Sequence, residues 1–237
     1  QNRHFEADVI IVGTGAGGGT AAEILTDAGL TVIMIEGGAL KSSKDFDMEE
    51  RHAYPNLYQQ AAAMKTADKG IGIFQGRAVG GSTTINWTTS IRTPKPTLDF
   101  WAAERSVINT SAEEMLPWFE KMEQRLNIKE WQYEPNRNNG VLREGCEKLG
   151  WEHTVIKRNV SGCWNTGYCG MGCPVNAKQS MLVTTIPAAL NKGATLISRA
   201  KVTRLEHKGD KVSGLTAHAL TEGLQPTGVE LTFSGKH

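Results

Sequence analysis

The sequence predicts an α/β fold with a parallel sheet, and three observations near its amino terminus carry that prediction. Residues 7–12 (ADVIIV) and 31–35 (TVIMI) are short apolar runs rich in β-branched residues, which is typical of buried strands. Residues 20–28 (TAAEILTDA), between them, are rich in helix formers, and Gly29 follows where a left-handed helix end favours glycine. A glycine cluster separates the first run from the helix. The order strand, glycine turn, helix, strand is that of a βαβ unit.

The rest of the chain alternates between helical and strand-like segments. Residues 97–129 are predicted to be mostly helical, and Trp118, Met122 and Leu126 recur on one face, which we interpret as core packing. Further predicted elements are a helix over 141–150, a helix over 181–190 broken by Pro187, and strands over 194–205 and 211–220 joined by a turn. We therefore predict one domain from residues 1–98 and 150–237, with a mostly helical insertion over 99–149.

Charge and hydropathy exclude several classes of protein. The 26 Lys and Arg residues nearly balance the 25 Asp and Glu residues, and no run of like charges stands out, so nothing favours a nucleic-acid partner. The longest apolar run is strand length, far short of the roughly 20 residues that a membrane helix needs. No basic and apolar leader follows Gln1. We expect no transmembrane span in this chain and leave cytoplasm and periplasm both open.

The first glycine cluster has the spacing of a dinucleotide-binding turn. Residues 13–18 (GTGAGG) supply GxGxxG after a predicted strand and before a predicted helix, and Glu36 ends the second strand. Gly13 would permit the tight turn, Gly15 would let the pyrophosphate approach the backbone, and Gly18 would let helix pack on strand. Glu36 would accept hydrogen bonds from ribose hydroxyls, which disfavours NADP. The candidate cofactor residues of this Rossmann-like turn are Gly13, Thr14, Gly15, Ala16, Gly18 and Glu36.

A second glycine-rich motif separates FAD from NAD, which the first motif alone cannot do. Residues 76–86 (GRAVGGSTTIN) closely resemble the first signature of the glucose-methanol-choline (GMC) oxidoreductase family, whose flavoenzymes oxidise alcohols. The resemblance implies a Rossmann-like FAD-binding domain with a partial helical insertion on the substrate, or cap, side. It also implies that this segment runs along the pyrophosphate and flavin. Its candidate cofactor residues are Arg77, Val79, Gly80, Gly81, Ser82 and Asn86.

The same resemblance bears on how the flavin is held. Some family members carry His at the position of Asn86 and bond it covalently to the flavin, which Asn cannot do, so non-covalent FAD is implied. Residues 176–180 (NAKQS) and 186–190 (IPAAL) also look like family segments, and Val202 matches a position whose backbone meets the adenine. The sequence departs from the family signature at Ser90 and Thr93.

The resemblance further implies an activity that this chain does not complete. In the family a His near the carboxyl end of a chain about twice this length acts as catalytic base, and none of the six His residues here lies in such a setting. We expect the catalytic His in a carboxyl-terminal remainder, a small alcohol as substrate, and oxygen, a quinone or a cytochrome as acceptor. Two alternatives stay open at this point. They are an NAD-dependent dehydrogenase with the same turn, and an FAD-holding electron-relay subunit that is not catalytic alone.

Three cysteines lie close together in a glycine-rich segment. Cys163, Cys169 and Cys173 form C-x5-C-x3-C-P, with glycines at 162, 167, 170 and 172 that could aim amides at sulfides. The pattern resembles the cysteine segment of bacterial FAD-dependent sugar dehydrogenases, and so implies a three-iron 3Fe-4S cluster that passes electrons to a cytochrome. Zinc and ordinary loop thiols are the alternatives. Cys146, alone in a predicted helix, is interpreted as a small apolar residue.

Overall fold

A computed structural model describes residues 3–237, which form two compact units. The first unit consists of the chain up to Trp87 together with Gly162–His237, and the second is Thr88–Ser161. The assignment of residues 99–149 to the substrate side of a domain made from 1–98 and 150–237 stays a prediction.

The described residues contain these elements, in chain order: β1 (Arg3–Ala7), β2 (Val9–Val12), α1 (Ala16–Asp27), β3 (Val32–Glu36), α2 (Glu50–Leu57), α3 (Lys95–Arg105), α4 (Ala112–Arg125), β4 (Ile128–Glu130), α5 (Arg137–Leu149), β5 (Lys157–Asn159), α6 (Thr185–Asn191), β6 (Thr195–Ser198), β7 (Ala200–Lys208), β8 (Lys211–Leu220) and β9 (Pro226–Gly235). Single turns of 3-10 helix occur at Ser43–Asp45, Gly81–Thr84 and Cys169–Met171. Within residues 3–237, no helix has the length and apolar character needed to cross a bilayer.

The predicted βαβ unit is confirmed. Strands β2, β3 and β6 form a parallel sheet with β3 in the centre, and every residue of β3 is buried. Gly29 has a φ of +84° and ends α1 as expected. The apolar run over 7–12 is not one strand, because Asp8 interrupts it. The carboxylate of Asp8 accepts hydrogen bonds from the amide and hydroxyl of Thr31, and this contact separates β1 from β2.

A second sheet covers one side of the parallel one. Its strand order is β1-β9-β8-β7, antiparallel except for the parallel pair β1 and β9. The strand predicted over 194–205 is two strands, because Arg199, with a φ of +54°, turns the chain out of the parallel sheet and into β7. Ile33 and Ile35 of β3 pack with Leu215, Ala217 and Phe233 in the core of the first unit.

The second unit contains α3, α4, α5 and the antiparallel pair β4 and β5. The helical segment predicted over 97–129 is broken after α3, where Ser106 adopts a φ of +53°. The interpretation of the face of Trp118, Met122 and Leu126 as core is wrong for Trp118, which is 60% exposed; no residue of α4 is buried. Helix α5 starts earlier than predicted because the Asn136 side chain caps it, accepting from the Asn139 amide at 3.0 Å.

Candidate cofactor site

The turn between β2 and α1 needs two of its glycines for the fold itself. Gly13 has a φ of +90°, and its amide donates to the Ile35 carbonyl at 2.7 Å. A Cβ placed on Gly18 would lie 2.0 Å from the Gly13 carbonyl oxygen and 3.1 Å from Cγ2 of Ile11. Because these are backbone and packed side-chain atoms that have little room to move, α1 can lie this close to the turn only with glycine at position 18.

Gly15 is different, because nothing in the protein itself demands a glycine there. Its φ is −69°, and a Cβ would meet only the Cα of Gly81, at 4.0 Å. No side chain caps the start of α1 at Gly15, and Ala16, the first residue of the helix, is exposed. The amides of the first helical turn are therefore free of side-chain caps, as an anion-binding helix start requires. The open space beside Gly15 fits the close approach of a pyrophosphate.

Glu36 is held by the protein in a way that the sequence did not reveal. Its carboxylate oxygen Oε2 accepts hydrogen bonds from the amide of Thr14 at 3.0 Å and from the Thr14 hydroxyl at 2.8 Å. The other oxygen, Oε1, accepts from the amide of Gly38 at 2.8 Å. A carboxylate has about four acceptor positions, so one remains for a further donor. That Glu36 accepts hydrogen bonds from ribose hydroxyls stays a prediction, whereas its contact with the glycine turn is observed.

The two glycine motifs lie in direct contact, although they are far apart in sequence. The amide of Gly80 donates to the hydroxyl of Thr14 at 3.1 Å, and a Cβ on Gly81 would lie 2.8 Å from the Cα of Gly15. The Thr14 hydroxyl thus donates to Glu36 and accepts from Gly80, and it joins both motifs through one buried side chain. The structure brings Gly13, Thr14, Gly15, Gly80 and Gly81 into one place.

The other candidate residues of the second motif differ in their surroundings. The Nε atom of Arg77 is buried and has no hydrogen-bond partner among residues 3–237, so it can donate to an anion. Val79 is fully buried; its amide donates to the Ala39 carbonyl and its own carbonyl accepts from Thr84. Ser82 and Asn86 are exposed, and the Ser82 hydroxyl accepts from the Gly76 amide at 3.0 Å.

Val202 lies in β7, where its half-buried side chain packs against the core of the first unit. A backbone contact from this residue to an adenine stays a prediction. The site assignments as a whole stay predictions, and they are supported where the structure offers space or an unpaired donor. Those places are Gly15, the start of α1 and Arg77.

Sequence reasoning did not single out Lys178, which lies buried beside the second motif. Only 3% of the residue is exposed, and its ammonium donates to the carbonyls of Thr84 at 2.7 Å, Asn86 at 2.9 Å and Cys169 at 2.7 Å. Burial lowers the pKa of Lys178 to about 8, and the nearby thiols of Cys169 and Cys173 act in the opposite direction. A Lys within the NAKQS segment was the only signal for it in the sequence.

The structure does not support the expected iron–sulfur cluster. Among residues 3–237, no three Cys, His, Asp or Glu side chains are arranged to hold a metal, and this includes the thiols of Cys163, Cys169 and Cys173. The Asn165 amide donates to the Cys163 sulfur at 3.3 Å. The nearby glycines make room for aromatic rings instead of sulfides, because a Cβ at 172 would lie 2.3 Å from the Phe46 ring and one at 170 would lie 3.1 Å from the ring of Trp87.

Comparison with known proteins agrees with the family that the second motif resembles. A family model described as GMC oxidoreductase matches residues 54–231. Long-chain-alcohol oxidase FAO1 of Arabidopsis thaliana is 32% identical over 201 residues, which are 85% of this chain and 26% of that protein. The uncharacterized GMC-type oxidoreductase y4nJ of Sinorhizobium fredii is 31% identical over 222 residues, 93% of this chain and 44% of that protein. This chain therefore spans between about a quarter and under half of these relatives.

A solved structure of formate oxidase from Aspergillus oryzae superposes on this chain with a TM-score of 0.64. The superposition covers 98% of this chain and 44% of the other, at 16% sequence identity. At that identity the likeness establishes the fold alone. It agrees with the α/β arrangement of parallel strands and flanking helices described above.

Proposed function

Because this chain belongs to the GMC oxidoreductase family, we propose that it is the part of an alcohol-oxidising flavoenzyme that holds FAD without a covalent bond. One observation carries the proposal. Gly15 lies against Gly81, and the protein's own atoms leave room for a Cβ at Gly15. The fold itself does not need a glycine at this position, and no side chain caps the start of the helix. Close approach of a pyrophosphate requires both of these features.

The residues around this point would each bind a different part of FAD. The amides at the start of α1 and the Nε atom of Arg77 would donate to the pyrophosphate. Glu36 would use its remaining acceptor position for the adenosine ribose. The exposed residues Ser82 and Asn86 would lie toward the flavin, and Asn86 offers no nucleophile for a covalent bond.

The chemistry that FAD supplies when bound is acceptance of the hydride that leaves the carbinol carbon of an alcohol. The residues of this chain bind and orient the cofactor, and Asn86 would border the space where substrate approaches. A His outside this chain is proposed to take the proton of the substrate hydroxyl. Because several relatives are named long-chain-alcohol oxidases, long-chain alcohols are the first substrates to test, with oxygen, a quinone or a cytochrome as acceptor.

The decisive experiment compares Gly15→Ala with Gly17→Ala. A Cβ at either position meets no protein atom closer than 4.0 Å, so both variants should fold as well as wild type. A Cβ at position 15 would lie 4.0 Å from the Cα of Gly81, whereas a Cβ at position 17 has no protein atom within 4 Å, so only the methyl at position 15 faces Gly81. Overpacking typically costs about 1–3 kcal/mol. We therefore expect the affinity for FAD of Gly15→Ala to fall about tenfold or more, and that of Gly17→Ala to stay near wild type.

The readouts are the flavin absorption of the purified proteins and titration of FAD into apoprotein. Equal FAD affinity in the Gly15→Ala variant and wild type would contradict the proposed position of the pyrophosphate. A wild-type protein that neither carries nor takes up FAD would contradict the proposed function as a whole.

A further inference from the structure

Lys178 is a buried cation whose hydrogen-bond partners are all neutral. An ammonium has three N–H donors, and those of Lys178 are used by the carbonyls of Thr84, Asn86 and Cys169. Burying a charge without an opposite charge beside it is unfavourable by several kcal/mol unless hydrogen bonds compensate. A Met side chain of similar length would avoid this penalty. The position thus carries a charge that packing alone does not require.

The three carbonyls belong to two segments that have little regular structure of their own. Thr84 and Asn86 end the second glycine motif, which the proposed function places along the flavin. Cys169 begins the 3-10 turn Cys169–Met171. The same two segments are also in contact through Gly170, where a Cβ would lie 3.1 Å from the Trp87 ring. Lys178 therefore ties the end of the flavin motif to the cysteine segment through a single side chain.

The neighbouring residues of Lys178 strengthen this attachment. The amide of Met181 donates to the hydroxyl of Thr83 at 3.1 Å, within the 3-10 turn Gly81–Thr84. A Cβ on Gly80 would lie 3.1 Å from the amide nitrogen of Leu182. The segment from Lys178 to Leu182 thus follows the second motif along its length, and the ammonium lies at the end where Asn86 is found.

We propose that Lys178 is a positioning residue for the flavin site, and that its ammonium also supplies a positive charge there. Its three hydrogen bonds fix the backbone from Thr84 to Asn86, and its charge favours the negative charge that reduction adds to a bound flavin. The inference rests on the proposed function, because it concerns the same cofactor. Lys178 acts through the backbone and through its field, without being assigned a contact to substrate.

The test compares Lys178→Gln, which removes the charge and keeps two donors on a shorter side chain, with Lys178→Arg, which keeps charge and donors. Lys201→Gln is the matched control, because Lys201 is an exposed residue of β7 and the variant loses the same charge. If Lys178→Gln does not fold, the same measurements are made on Lys178→Met, whose side chain has nearly the length of lysine and carries no charge.

Two quantities are measured, one of them without cofactor. In apoprotein, hydrogen exchange of three backbone amides should become roughly tenfold faster in Lys178→Gln than in wild type. The amides of Ile85 and Asn86 both donate to the Ser82 carbonyl, and the amide of Met171 donates to the Tyr168 carbonyl. In FAD-loaded protein, the midpoint potential should fall by about 30 mV or more, a tenfold change in a two-electron equilibrium. Lys178→Arg should stay closer to wild type in potential, and Lys201→Gln should match wild type in both.

The outcomes separate this inference from the proposed function. If wild type binds FAD but Lys178→Gln leaves both exchange and potential unchanged, the role of Lys178 is overturned and the proposed function stands. Faster exchange with an unchanged potential overturns the electrostatic role alone. If wild type does not bind FAD, both the function and the inference fail.

Discussion

At the scale of single residues, Glu36 and Thr14 show how the cofactor site is held together before any ligand enters. The Thr14 hydroxyl donates to Glu36 and accepts from the Gly80 amide, and the Thr14 and Gly38 amides also donate to Glu36. Both side chains are buried. A carboxylate at the end of β3 therefore shapes the glycine turn in addition to its expected role toward a ribose.

This arrangement predicts that Glu36→Gln destabilises the apoprotein. An amide side chain has one acceptor atom where the carboxylate has two, so at least one of the donors from Thr14 or Gly38 would face an NH₂ group. Leaving a buried donor unpaired costs about 1–3 kcal/mol. We expect the free energy of unfolding, measured by urea denaturation without FAD, to fall by about that amount, while Glu222→Gln, at an exposed turn, has no effect. If the stability of the apoprotein is unchanged and only FAD binding is weaker, the role of Glu36 is limited to binding the ribose.

At the scale of elements, the point where β1 gives way to β2 is fixed by one carboxylate. Asp8 accepts hydrogen bonds from the amide and hydroxyl of Thr31 at 2.9 and 2.7 Å, and from the ammonium of Lys236 at 2.6 Å. The amides of Lys236 and His237 also donate to the carbonyl of Asp8. The start of β3 and the residues after β9 are thereby joined to the start of β2.

The hydrogen bonds from Lys236 and Thr31 hold the pKa of the Asp8 carboxyl well below its ordinary value. Because its pKa is lowered in the folded state, ionised Asp8 stabilises the fold at pH values above the ordinary pKa of an Asp, about 4. This stabilisation is lost as the pH falls from there toward the lowered pKa. We expect Asp8→Asn to lower the melting temperature at pH 7, and the difference from wild type to shrink as the pH is lowered through the acid range. Melting curves from pH 7 to pH 3 measure this, and a difference that does not depend on pH would argue against it.

At the scale of the whole molecule, the candidate site is assembled from segments that lie far apart in the sequence but belong to one compact unit. The first glycine motif follows β2, the second includes the 3-10 turn Gly81–Thr84, and Lys178 comes from the segment before α6. A cofactor that contacts several of these segments should stabilise the folded unit in proportion to its affinity, because it binds only the folded chain.

We therefore expect FAD to raise the melting temperature of the apoprotein. At a ligand concentration 100 times the dissociation constant, binding stabilises by about 2.7 kcal/mol. FMN, which lacks the adenosine and one of the two phosphates that the first motif would bind, should give a smaller shift at the same concentration. Thermal denaturation with FAD, FMN and NAD measures the difference. A shift with NAD that equals or exceeds the shift with FAD would favour the NAD-dependent alternative.

The sequence by itself determined the βαβ unit, its glycine turn and the family. Local patterns carry these features: β-branched runs, the spacing of glycines, and the GRAVGGSTTIN segment. The helix end at Gly29 also followed from the chain alone, because a positive φ is a property of one residue and its neighbours.

Tertiary structure alone decided how these segments meet. The break at Asp8, the turn at Arg199 and the exposure of Trp118 depend on contacts with distant residues, which no local pattern contains. The same holds for the three carbonyls around Lys178. The spacing of the cysteines suggested a cluster, but in the fold their glycines pack against the rings of Phe46 and Trp87. Residue type and spacing can suggest a ligand, but only packing decides which atoms are close enough to bind it.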